Sequence, residues 1–112
     1  NENTVHQLKI LGGGENDFLD VVIKGFTLEG EQLLAGMQDA LLKGEYTTFK
    51  ELAHTLKGSS GNLGAEMLFQ VCRDISQLNL TELRDSGDAQ LSAAQKAFRA
   101  TQTMLLIYLK PT

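Results

Sequence analysis

The chain has few residues that cross-link, interrupt or anchor a fold, and each scarcity excludes something. Cysteine occurs once, at Cys72, so no internal disulfide can form and nothing in the sequence asks for an oxidising compartment. Proline also occurs once, at Pro111 beside the C-terminus, which leaves every earlier helix uninterrupted. No alternating run of β-branched residues stands between turn signals, so strands are not expected. The longest apolar run is "MLLIYL", far short of the roughly 20 residues that cross a bilayer. The start is not the charged-then-apolar pattern of a signal peptide. A formal charge of -4 and a pI near 5.0 supply no basic face for nucleic acid. Histidine is rare too, with His6 and His54 the whole set. The 112 residues and 42% hydrophobic content fit one soluble, cytoplasmic domain spanning residues 1–112, which buries roughly two-thirds of its unfolded surface.

What is present is helical periodicity throughout. A short first helix is expected around Val5, Leu8 and Leu11, stopped by "GGG" at Gly12 to Gly14. Asn16 or Asp17 can cap a long second segment bearing Phe18, Leu19, Val22, Ile23 and Phe26 on one side. Leu33, Leu34, Met37 and Leu41 continue it to Gly44, with a kink expected near Gly30. The next helix is expected from Glu45 to Asn62, with Phe49, Leu52, Ala53, Leu56 and Ser60 on one face. Leu68, Val71, Cys72, Ile75 and Leu78 form another series; "RDSGD" at Arg84 to Asp88 reads as the final loop. Leu91, Ala94, Phe98, Thr101, Leu105 and Tyr108 then mark the last helix. Four amphipathic helices joined by short loops, plus the small N-terminal one, imply an all-α antiparallel bundle. "MLLIYL" is expected to be the most enclosed part of the last helix, its alternative being a dimer or partner surface.

His54 is the residue whose direction matters most. At about 100° per residue it falls roughly 140° from the centre of the apolar face of its helix, and is therefore expected in solvent. Lys50 and Gly58 lie one turn before and after it, Lys57 three residues on, and Gly61 two turns on. Glycine inside a helix costs about 1 kcal/mol relative to alanine, so two on one side point to a close approach there. Spacing alone equally allows the two glycines to mark a fraying end near Asn62.

Other chemistries can be weighed against the pattern. Glu51 and His54 make the Glu-x-x-His of di-iron bundles, but His6 has Asn3 where a second copy needs glutamate. With Cys72 expected inside, a zinc set fails as well. "GSSGNLG" lacks the terminal Gly-Lys-Ser/Thr of a Walker loop, and the segment before it is helical. Ser59 and Ser60 face away from His54, which argues against a serine hydrolase. An open imidazole remains as a nucleophile, for a ring with the ordinary pKa of about 6.5 is mostly neutral at cytoplasmic pH. A neutral ring nitrogen can attack phosphorus and hold the group covalently. Such transfer needs in-line access and a cation near the equatorial oxygens, which Gly58 and Lys57 would supply.

"AHTLKGSSGNLGA" resembles the signature of histidine-containing phosphotransfer (HPt) domains of bacterial phosphorelays, with His54, Leu56, Lys57, Gly58, Ser59, Ser60, Leu63 and Gly64 at matching positions. The helix order and acidic balance fit along nearly the whole chain. The resemblance implies an up-and-down four-helix bundle with an exposed phosphorylated histidine. It implies that His54 takes a phosphoryl group from a receiver-domain aspartate and passes it to another receiver. It also implies a phosphocarrier with no ATP site and no cofactor of its own, Mg residing on the receiver. Placement at the C-terminus of a hybrid sensor kinase would account for the start at "NENTV". Alternatives are a helical adaptor that binds a receiver or kinase without transfer, and loading by a kinase ATP-binding domain. The domain is expected to be a monomer. A receiver is expected to touch Lys50 and Gly61 on the His54 side, Val5 and Ile10 of the first helix, and Phe69, whose other reading is a partly buried bundle residue. One departure stands on the following helix, where the family often has glutamine or glutamate and this chain has Ser76; Gln77 should point elsewhere.

Overall fold

The structure is a computed structural model that describes residues 16–63 and 65–109, with side chains described for residues 20–61 and 65–107. The described residues form four helices and no strand: α1 Asn16–Leu42, α2 Tyr46–Leu63, α3 Glu66–Gln77 and α4 Leu80–Leu109. The short first helix expected around Val5, Leu8 and Leu11, and the glycine stop after it, lie outside the described residues.

Each helix buries a stripe spaced three or four residues apart. Ile23, Phe26, Leu34, Met37 and Ala40 face inward from α1; Phe49, Ala53, Leu56 and Ser60 from α2; Leu68, Cys72 and Ile75 from α3. The ends are specified locally. After α1, Gly44 takes φ 70°, its N–H donates to Leu41 O at 3.1 Å, and the Glu45 N–H donates to Ala40 O at 2.8 Å. That is a Schellman stop, and glycine is what the left-handed residue needs. Before α4, Asn79 and Glu82 cap each other: the Asn79 N–H donates to Glu82 Oε1 at 2.9 Å and the Glu82 N–H to Asn79 Oδ1 at 2.8 Å.

Neighbouring helices run antiparallel. The Ser59 hydroxyl donates to the Glu29 carboxylate, while Leu52 sits against Gly36, so residue numbers descend on α2 as they climb on α1. Phe98 against Gly30 and Leu41 against Gly87 show the same for α1 and α4. α1 packs on α2 and α4, and α3 on α2 and α4, closing the bundle around Met37, Phe49, Leu56, Leu68, Ile75 and Leu83. Burying each such side chain contributes about 1.5–3 kcal/mol.

Two expectations are corrected. Arg84 to Asp88 is not a loop: α4 runs through it, Gly87 is buried against Leu41, and the Ser86 hydroxyl donates to Glu82 O at 2.8 Å. The true connection is Leu78–Asn79. The expected continuation of α1 through Gly30 to Leu42 is observed, and the missing side chain at Gly30 makes room for Phe98. "MLLIYL" is not fully enclosed, because Leu105 is buried while Leu106 and Ile107 are 57% and 64% exposed. With 27 and 30 residues, α1 and α4 are longer than α2 and α3, with 18 and 12. The end of α4 therefore runs beyond the shelter of the shorter pair.

Candidate functional site

The core stripe of α2 decides where His54 goes. With Phe49, Ala53, Leu56 and Ser60 turned inward, the imidazole emerges on the outer face and is exposed, as its angular position requires. Gly58 and Gly61 are exposed on the same side. A Cβ built on Gly58 meets nothing within 4 Å, so the bundle itself does not demand glycine there. Gly61 differs: a Cβ would come within 3.4 Å of the Phe69 ring on α3. Phe69 is half-buried, which accords with its reading as a bundle residue.

The two lysines have different surroundings. The Lys50 ammonium donates to Leu78 O at 2.6 Å, tying α2 to the α3–α4 connection. Lys57 is half-buried, and its charge is felt at Cys72 on α3, so it leans over the seam between α2 and α3. Burial pushes the Cys72 thiol up to about 12, with Lys57 drawing it back slightly; the thiol is neutral and inert at ordinary pH.

The neighbouring hydroxyls are engaged. The Ser60 hydroxyl is buried and donates to Leu56 O at 2.7 Å, Ser59 reaches Glu29, and Thr55 donates to Glu51 O at 3.3 Å. Neither serine is placed as a partner for His54. Among the described residues, no group of three or more His, Cys, Asp or Glu could hold a metal ion.

Beside His54 lies an open depression bounded by Thr47, Glu51, Thr55, Ser76 and Leu80, with Lys50 at its edge. The Ser76 hydroxyl donates to Arg73 O at 2.6 Å on its own helix, and Gln77 is exposed. Thr47 and Leu80 were not singled out by sequence reasoning, although the Asn79-x-x-Glu82 capping pattern was the signal that could have placed Leu80 at a helix start. Val5 and Ile10 lie outside the described residues.

A helical bundle that holds one imidazole clear of its core, between a lysine and an open glycine, has what a phosphocarrier requires. The chain belongs to the Hpt domain family, whose model matches residues 21–106. The crystal structure of histidine-containing phosphotransfer protein B from Pseudomonas aeruginosa PAO1 has the same fold, with a TM-score of 0.84. That match is 22% identical in sequence and covers 97% of this chain and 92% of that one. No curated protein matches the chain. The chain is thus a phosphorelay phosphotransfer domain, a carrier of the kind that works with receiver domains. No helix among the described residues is long and apolar enough to cross a membrane.

Proposed function

We propose that His54 is the phosphoryl acceptor, and that it receives the group from a receiver-domain aspartate and yields it to another. The observation that carries this is the exposure of His54 beside Lys57 and Gly58 in a chain of the Hpt family. In the first half-reaction, the unprotonated ring nitrogen attacks the phosphorus of an aspartyl phosphate. An N–P bond forms, the P–O bond breaks, and the aspartate leaves as carboxylate while the other ring nitrogen keeps its proton. Onward transfer is the reverse, with a second carboxylate attacking and the imidazole leaving neutral.

Lys57 offsets charge on the equatorial oxygens, and Gly58 leaves the approach to the imidazole clear. Loading comes from a receiver, and this domain hydrolyses no nucleotide. Mg belongs to the receiver. The domain acts as a cytoplasmic monomer toward receivers of response regulators and of a hybrid kinase.

Incubation with a phosphorylated receiver, read on neutral gels because the N–P bond is acid-labile, tests the assignment. His54→Gln is expected to abolish labelling while the helical circular dichroism persists. Label retained by that variant would move the site to His6 or a carboxylate, and an unlabelled wild-type chain would make it an adaptor.

A further inference from the structure

Lys50 carries a positive charge that no carboxylate among the described residues matches. Two other lysines pair with an aspartate four residues back: Lys24 of α1 with Asp20 at 2.8 Å, and Lys43 just beyond α1 with Asp39 at 3.0 Å. Four residues before Lys50 stands Tyr46, which is no anion, and four residues after it stands His54. The half-buried Lys50 ammonium donates instead to the Leu78 carbonyl at 2.6 Å, a neutral acceptor 28 residues along the chain. Glu51 is the one carboxylate bordering the same depression. It is exposed and next in sequence to Lys50, and adjacent helical residues do not face each other.

Helical geometry aims His54 toward Lys50. Each Cα–Cβ bond tilts toward the N-terminus of its helix, so the imidazole leans over the turn that holds Lys50. Cβ atoms four residues apart are about 5–6 Å from each other, within the span of a lysine side chain. Both side chains border one open depression, which leaves room for a group carried on the ring. A phosphoryl group would bring about two negative charges there at neutral pH. A hydrogen bond between two ions is stronger than one from an ammonium to a neutral carbonyl. Leu78 is only partly buried, so water can satisfy its carbonyl once the ammonium has left.

We propose that Lys50 is a second cation of the phosphorylated state: its ammonium leaves the Leu78 carbonyl for the phosphoryl oxygens on His54 and, in leaving, unties the α3–α4 connection from α2. The inference rests on His54 being the acceptor. No covalent bond beyond the N–P bond is involved; one hydrogen bond is exchanged for another. Lys57 leans over the α2–α3 seam, so the two lysines flank the group from different sides. The connection keeps the Leu78 N–H bond to Ile75 O and the reciprocal cap of Asn79 and Glu82, so the change is local and α4 stays formed. The loaded and empty carriers then differ at a turn 28 residues from the lysine that responds.

The test follows the backbone amides of Asn79 and Leu80 by NMR in an isotope-labelled chain before and after phosphorylation by a small phosphoramidate. In the wild type, both signals should move toward the positions they hold in unphosphorylated Lys50→Met, which lacks the tie; in Lys50→Met itself, phosphorylation should leave them in place. The wild-type measurement stands even if that variant folds poorly, provided Lys50→Arg, which keeps the charge, supplies the comparison. The second readout is the equilibrium of the phosphoryl group between His54 and a receiver. It should shift about two- to fivefold away from His54 in Lys50→Met, return with Lys50→Arg, and be unchanged in Lys43→Met. Signals that stay put in the phosphorylated wild type, or that move as far in Lys50→Met, would overturn the proposal. An equilibrium unaltered in Lys50→Met, or altered equally in Lys43→Met, would overturn it too. Labelling retained in His54→Gln would instead refute the acceptor assignment, and the role of Lys50 with it.

Discussion

Gly58 separates the needs of the fold from those of the reaction. It sits inside α2, one turn past His54, where glycine costs about 1 kcal/mol relative to alanine. An added Cβ meets nothing within 4 Å, so no clash offsets the gain. Gly58→Ala should therefore stabilise the domain by up to about 1 kcal/mol, a rise in Tm of about 3–6 °C. Gly30 is the contrasting control. A Cβ there would lie 2.1 Å from Phe98 Cε1, on a buried ring that packs against Phe26 at 5.4 Å between centroids. Overpacking of this kind costs about 1–3 kcal/mol, so Gly30→Ala should lose stability despite its better propensity. Transfer is the second readout. Cβ atoms one helical turn apart are about 5–6 Å from each other, close enough for a glutamine at position 58 to lie over the imidazole. Gly58→Gln should slow transfer from a phosphorylated receiver by at least about tenfold, or 1.4 kcal/mol, while a small phosphoramidate is slowed far less. Chemical unfolding together with receiver kinetics measures both. Normal receiver transfer in Gly58→Gln would refute steric clearance as the reason for the glycine, and a destabilised Gly58→Ala would show a packing role that the open surroundings do not reveal.

Two further outcomes follow from the same surface and core. Lys57→Ala should reduce receiver-dependent transfer about two- to thirtyfold, equivalent to about 0.5–2 kcal/mol of transition-state stabilisation; an unchanged rate would limit Lys57 to solvation. Burial raises the Cys72 thiol from 9.0 to about 12, so the folded state holds its proton more tightly than the unfolded chain does. The stability this contributes is intact below about pH 9 and is lost as pH rises toward 12. Between about pH 7 and pH 10.5, the urea midpoint of the wild type should fall further than that of the nearly isosteric Cys72→Val. Equal falls would remove the thiol as the cause.

The helical order and the direction of His54 were legible because both follow from a period of 3.6 residues. The buried positions of α2 and α3 repeat that period without interruption, and the face opposite them is then determined. The last connection was misplaced because Asp85, Ser86, Gly87 and Asp88 have turn composition, and composition does not separate a turn glycine from one that lets Leu41 approach a helix. A Cβ at Gly87 would lie 2.6 Å from Leu41 Cδ2, a contact 46 residues away in sequence that no local pattern carries. "MLLIYL" misled in the opposite way: its hydrophobicity is real, but its shelter depends on the lengths of two other helices. Lys50 was placed correctly on the His54 side, yet its carbonyl partner lies 28 residues further along the chain. Only the assembled bundle brings Leu80 and Ser76 to the same depression.

The outward placement of His54 also bears on the thermodynamics of the carrier. A phosphoryl group there adds about two negative charges at neutral pH, on a face where the core residues of α2 all point the other way. If the modified and unmodified chains have the same folding free energy, then by linkage the fold neither strains nor shelters the N–P bond. The group-transfer potential of such a phosphohistidine would then be that of an imidazole in water. Under that condition the bundle would hold the group without biasing its departure, and the direction of flow would follow from the phosphorylation state of the receivers on either side.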